Sequence, residues 1–154
     1  MLIPLQIRKI FSDIYKYEEN IEKYKYFQNA CRLYNKAHTL GSFEPTVEIS
    51  YFVAAIETLS KTETETEYRN FTKFCLKYNA DFQRTLIEFA YAIRSKHFHA
   101  GDFEFGEYSI DINPSANVDF MNMRTIYLNI KIQLRKVIVE WMVTNLKVDE
   151  KMVY

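Results

Sequence analysis

Apolar or aromatic side chains recur at Ile7, Ile10, Ile14, Tyr17, Ile21, Tyr24, Phe27, Cys31, Tyr34 and His38. Steps of three and four keep such positions in one stripe on a helix face. The spacing predicts one long helix, or two nearly collinear ones, from about Leu5 to Leu40. Gly41 stands where a C-terminal cap belongs, and Ser42-Phe43-Glu44-Pro45 supplies a turn with proline at the opening of the next helix. Val47, Ile49, Phe52, Ile56 and Leu59 carry a second stripe to about Ser60. Val53, Ala54 and Ala55 widen it, so this helix is expected in the middle of a bundle.

Lys61 to Glu67 is polar, ends in acid and reads as a solvated loop feeding negative side chains into a helix N-terminus. Tyr68, Phe71, Cys75 and Tyr78 give a short third helix, and Asn79-Ala80-Asp81 reads as a stop followed by an N-cap. From Asp81 the pattern Phe82, Leu86, Phe89, Ala90, Ile93, His97 holds helical spacing until Gly101. The period then fails from Asp102 to Asn117, a stretch with Gly106 and Asn113-Pro114. It predicts a long loop with a short extended piece at Tyr108 to Ile112. Asn117 can cap a last helix whose Phe120, Met123, Ile126, Tyr127, Ile130, Leu134, Val137, Ile138 and Trp141 line one side to about Leu146. The expected fold is a single all-α domain over residues 1–154, a bundle of about five helices with a long loop after the fourth.

Composition narrows the function more than the fold. Three glycines and three prolines in 154 residues leave little turn chemistry for a β-sandwich or barrel. Twenty Lys and Arg against twenty Asp and Glu exclude a chain-wide basic field, so any polyanion site must be local. Cys31 and Cys75 are too few for a disulfide framework and are expected to be reduced thiols. The longest apolar run, Phe52 to Ile56, is far too short to span a bilayer, which suggests a cytoplasmic protein with no membrane partner.

Reactive groups concentrate in Arg94-Ser95-Lys96-His97-Phe98-His99, just before Gly101. The partial negative charge of a helix C-terminus favours cations there. Arg94 offers a planar fork for a phosphate, and a neighbouring imidazole can take or give a proton. Together they are the minimum equipment for attack of a ribose 2′-OH on the adjacent phosphodiester, without a metal or other cofactor. A metal site built on His97 and His99 is disfavoured, because ligands two apart on a helix point about 200° apart and His38 is remote in sequence. No GxSxG elbow and no glycine-rich phosphate loop can be drawn. The plain alternative is a helix end complementing its own dipole.

An Arg, four residues and a His, as in Arg94 to His99, resembles the Rx4–6H signature of the HEPN superfamily. Tyr51 to Leu59, an aliphatic helix with Glu57 embedded, is similar to the helix that precedes the motif in the Apea-like HEPN branch, and Phe27 to His38 resembles the one before that. The resemblance runs over about residues 20 to 145. It implies a homodimer in which two motifs face one cleft, a metal-independent endoribonuclease acting as a toxin or phage-defence effector, and an antitoxin or other defence-system protein as partner. It gives Arg94 the scissile phosphate, His99 proton transfer, and Glu57 either the orientation of Arg94 or stabilisation of the site from the second helix. Ser95 stands at the polar position where the family often has Asn, Asp or His, and Ala100 interrupts the usual His-Gly pair. Lys96, His97 and Phe98 are expected to contact RNA, with Phe103, Phe105 and Tyr108 as further aromatic contacts. A non-catalytic module that binds RNA, a nucleotide or a protein is the alternative. Five residues of regular helix set Arg94 and His99 about 140° apart, whereas His97 shares a face with Arg94, so either histidine can be the working one.

Overall fold

Among the residues that the computed structural model describes, 21–40, 43–105, 107 and 116–146, every regular element is helical. The order is α1 (Ile21–Leu40), α2 (Pro45–Ser60), a 3-10 turn (Thr66–Arg69), α3 (Phe71–Tyr78), α4 (Arg84–Ala100) and α5 (Ala116–Leu146). The expected all-α bundle of five helices therefore forms. Residues 5–20 of the long first helix and the extended piece at 108–112 lie outside the described residues.

Helix α2 is the hub and touches all four other helices. Its sequence explains why: Ile49, Phe52, Val53, Ala55, Ile56 and Leu59 are all completely buried. Burying a side chain of Phe, Ile or Leu size stabilises by roughly 1.5–3 kcal/mol, so this helix alone anchors much of the core. Around it lie Phe27 and Ala37 of α1, Phe74 and Cys75 of α3, Ile87 and Ile93 of α4, and Ile130, Leu134 and Trp141 of α5. Phe27 stacks on Trp141 with centroids 5.8 Å apart, while Tyr34 and His38 set their rings against Phe52 at 5.1 and 5.7 Å.

Three local expectations change. The third helix starts at Phe71, because Asn70 caps it by accepting from the Lys73 amide at 3.2 Å, and Tyr68 falls in the 3-10 turn. The fourth starts at Arg84 and not at Asp81: the Asn79 side chain donates to Gln133 at 2.7 Å, the Phe82 amide bonds back to Asn79, and Asp81 is exposed near Lys136. Phe82 is nevertheless buried, so an apolar position on the period enters the core from a turn. The acidic run after α2 is not wholly solvated either. Glu63 is buried and accepts from Lys77 at 2.7 Å and from the Tyr78 hydroxyl at 2.6 Å, tying the loop to α3.

Gly101 ends α4 in the left-handed region, φ 74°, with its amide bonded to the His97 carbonyl at 2.9 Å. This is the cap the sequence announces, since only glycine takes that conformation without strain. The chain then folds back over the start of α2. The Phe105 amide donates to the Thr46 hydroxyl at 3.3 Å, and the Glu107 carboxylate accepts from the Thr46 amide. Glu44 at the N-cap position makes no side-chain cap, so a carboxylate from the loop after α4 satisfies the first turn instead. No helix among the described residues is long and apolar enough to cross a membrane.

Candidate functional site

The last two turns of α4 carry the motif and lie against α2 between Tyr51 and Glu57. Arg94 and Glu57 form an ion pair across the two helices, Nη2 to Oε2 at 3.0 Å, with both side chains about a quarter exposed (27% and 26%). The Arg94 Nε is buried and makes no hydrogen bond. Phe98, one turn further on, lies under the guanidinium at 5.6 Å from its centroid and meets Tyr51 of α2 edge-on at 6.0 Å. A cation held over an aromatic face and beside a carboxylate has few rotamers left, so Arg94 is positioned before any ligand arrives.

His97 is the histidine on the Arg94 face, three residues along the helix. Its ring lies between Phe98 and Phe103, with centroids 5.4 and 5.1 Å away, and its Nδ1 sits 3.3 Å from the Asp102 carbonyl oxygen. That oxygen can only accept, so the contact selects the tautomer with hydrogen on Nδ1 and leaves Nε2 as the basic nitrogen. The left-handed turn at Gly101 is what swings Asp102 back to reach it.

The remaining sequence-predicted residues are spread around the helix end. His99 is exposed and makes no hydrogen bond or ion pair among the described residues. The helix stays regular through Ala100, so within one chain His99 points about 140° away from Arg94. Lys96 lies on the opposite side and pairs with Glu104 at 3.1 Å. Ser95 is half-buried and joins none of these contacts. Phe105 packs against the core beside Tyr127, 5.6 Å between centroids, and is not available as an aromatic contact for a ligand. Tyr108 lies outside the described residues.

Glu57 has a second role that the sequence did not indicate. It is also a wall of an open cleft of about 470 Å³ between the end of α2, the 3-10 turn and α4, lined further by Lys61, Arg69, Asn70, Phe71 and Tyr91. Tyr91 lies off the apolar stripe of α4, and that is the one sequence signal that could have marked it. Among the described residues no three His, Cys, Asp or Glu side chains gather as metal ligands. Glu48 of α2, completely buried, is bound by Lys131 at 2.9 Å and by the Tyr127 hydroxyl of α5 and stands apart from the motif. Comparison with protein-family models, with curated proteins and with solved structures returned no match.

Proposed function

We propose that this chain is a metal-independent endoribonuclease of the HEPN type, a toxin or phage-defence effector working as a homodimer in the cytoplasm. The observation that carries the reading is the pre-positioned Arg94, held by Glu57 and Phe98, with His97 three residues further along the same helix and its Nδ1 turned to the Asp102 carbonyl. In the reaction a base removes the 2′-OH proton and the 2′ oxygen attacks the adjacent phosphorus. The P–O5′ bond breaks, and an acid returns a proton to the leaving oxygen. The products are a 2′,3′-cyclic phosphate and a 5′-OH. Arg94 binds the non-bridging oxygens, where charge accumulates, through the Nη not spent on Glu57. Glu57 is a positioning residue for Arg94.

Proton transfer needs two groups, and the helix supplies them on different faces. His97 serves the Arg94 of its own chain. His99 reaches the same phosphate from the second copy, which accounts for a regular helix that separates Arg94 from His99. Lys96, paired with Glu104, and Ser95 take no part in proton transfer.

The test is incubation of the purified protein with mixed cellular RNA in excess EDTA, with the 3′ ends of fragments read. Cleavage should survive EDTA and fall roughly 10²–10⁴-fold in His97→Ala and His99→Ala, and at least as far in Arg94→Ala. Mixing Arg94→Ala with His99→Ala chains should restore part of the activity, because one hybrid site then holds both groups. If mixing restores nothing while His97→Ala is inactive, the site lies within one chain. Absence of cleavage by folded protein on any RNA would leave a binding module instead.

A further inference from the structure

We infer that the cleft beside Glu57 binds one nucleotide of a single RNA strand, the residue next to the phosphate held by Arg94; this rests on the ribonuclease reading for its position, though not for its chemistry. Three groups of a nucleotide have matching partners there. The first is a flat apolar face. Tyr91 is 42% exposed and its ring leans on Phe71, 5.5 Å between centroids at 34°, while Phe71 is itself buried. An exposed aromatic fixed from behind by a buried one is a rigid stacking platform, and stacking suits any base.

The second is positive charge without a carboxylate partner. Arg69 donates from Nε to the Glu63 carbonyl at 3.1 Å, which fixes the guanidinium plane, and its terminal N–H groups have no partner among the described residues. Lys61 is exposed and enters no ion pair among the described residues. Both line the cleft. Elsewhere nearby, the cations are spent: Lys73 on Glu67 and Lys77 on Glu63. The third is an acceptor for ribose hydroxyls, the Glu57 carboxylate, whose Oε2 lies 3.0 Å from Arg94 Nη2.

Size and placement agree. The cleft, about 470 Å³, falls within the roughly 300–1,000 Å³ of small-ligand sites. Tyr91 precedes Arg94 by three residues on α4, about 4.5 Å along the axis. Three residues apart on a helix, the two side chains share a face. A strand whose phosphate lies on Arg94 therefore brings the neighbouring base over Tyr91 and its own phosphate towards Lys61 and Arg69.

The probes are a fluorescent 2′-O-methyl hexaribonucleotide, which lacks the attacking hydroxyl, and free adenosine 5′-monophosphate, with anisotropy and competition as readouts on the full chain. Tyr91→Ala should weaken hexamer binding about tenfold or more, and Tyr91→Phe should leave it close to wild type. Tyr91→Leu, which keeps a partner for Phe71, should bind as weakly as Tyr91→Ala, which separates stacking from packing. Lys61→Gln and Arg69→Gln should each flatten the salt dependence of binding by about 0.7 in log–log slope. The same pattern should persist in Arg94→Gln protein, so loss of cleavage alone does not disturb it. Binding of the mononucleotide with the same Tyr91 dependence identifies a free nucleotide as ligand, and dependence seen only with the hexamer identifies a strand. The inference is overturned if neither probe binds, or if correctly folded Tyr91→Ala, Lys61→Gln and Arg69→Gln proteins bind like wild type.

Discussion

Cys75 and Cys31 show how far burial alone sets the chemistry of a side chain here. Burial pushes the Cys31 thiol up to about 11 and drives the fully buried Cys75 higher still. The thiolate is the nucleophile, so at pH 8 Cys31 carries roughly a hundredth of the thiolate of an unburied cysteine. Alkylation of the native protein should therefore be slow at Cys31, accelerate as the pH approaches 11, and reach Cys75 only on unfolding, as mass spectrometry of iodoacetamide-treated samples would record. The sequence made part of this legible: two isolated cysteines on helical stripes read as reduced core thiols. It also made Arg94, Glu57 and Gly101 legible, because a motif and a C-cap are local features. What it hid are positions defined by neighbours distant in sequence. Glu63 sits in a run of alternating acids and threonines with nothing to distinguish it from Glu65 or Glu67, yet it alone of the three is buried, because Lys77 and Tyr78 come round to meet it.

Between elements, the contact with the largest consequence is that of α2 with α5. Glu48 is completely buried; its Oε2 accepts from the Tyr127 hydroxyl and from Lys131 at 3.1 Å, and its Oε1 makes no hydrogen bond but lies 2.9 Å from the same ammonium. Removing one partner strands a charge in the core. Lys131→Met should cost about 2 kcal/mol in urea melts, below the roughly 3–5 kcal/mol of a fully buried pair because Lys131 is 29% exposed, and adding Glu48→Gln should recover most of it. Tyr127 adds a pH dependence. Burial first, then the bond to Glu48, raises its pKa above the usual phenol value, and Tyr78 is raised in the same way by burial and by Glu63. The folded protein thus holds these protons after the unfolded chain has released them near pH 10, so stability is whole below that pH and declines above it. Tyr127→Phe should make the decline between pH 9 and 11 shallower, as denaturant midpoints would report. Periodicity located both helices but gave no hint of this pairing, since Tyr127 stood in the apolar stripe as a hydrophobe and Glu48 went unremarked within a run of buried residues.

Over the whole molecule, the absence of net charge bears on how any nucleic acid is held. With no global field, the attraction in the proposed reading rests on local cations, Arg94, Lys61 and Arg69 around the Glu57 wall, while Lys96 is engaged by Glu104. Three phosphate contacts on a single strand give a log–log salt slope of about −2. Filter binding of the non-cleavable hexamer between low and moderate salt should show that slope, and a much steeper one would point to a basic surface elsewhere. The all-helical architecture was readable because the three-four spacing repeats for many turns. The cleft was not, because it is made from the end of α2, the 3-10 turn and one off-stripe tyrosine, which meet only once the bundle is closed.

The buried acid of α2 also orders events during folding. Helices α1 and α2 are joined by a short turn and can dock early, but the hydroxyl that Glu48 needs lies 79 residues further along the chain. Until α5 has emerged and turned back, a carboxylate in the middle of the central helix must keep its water. An incomplete chain therefore cannot seal that face as a dry interface, and collapse onto the wrong helix leaves an ion without a counterpart. The same residue that fixes the register of α2 on α5 in the finished bundle acts, while the chain is still being made, as a hold against premature closure.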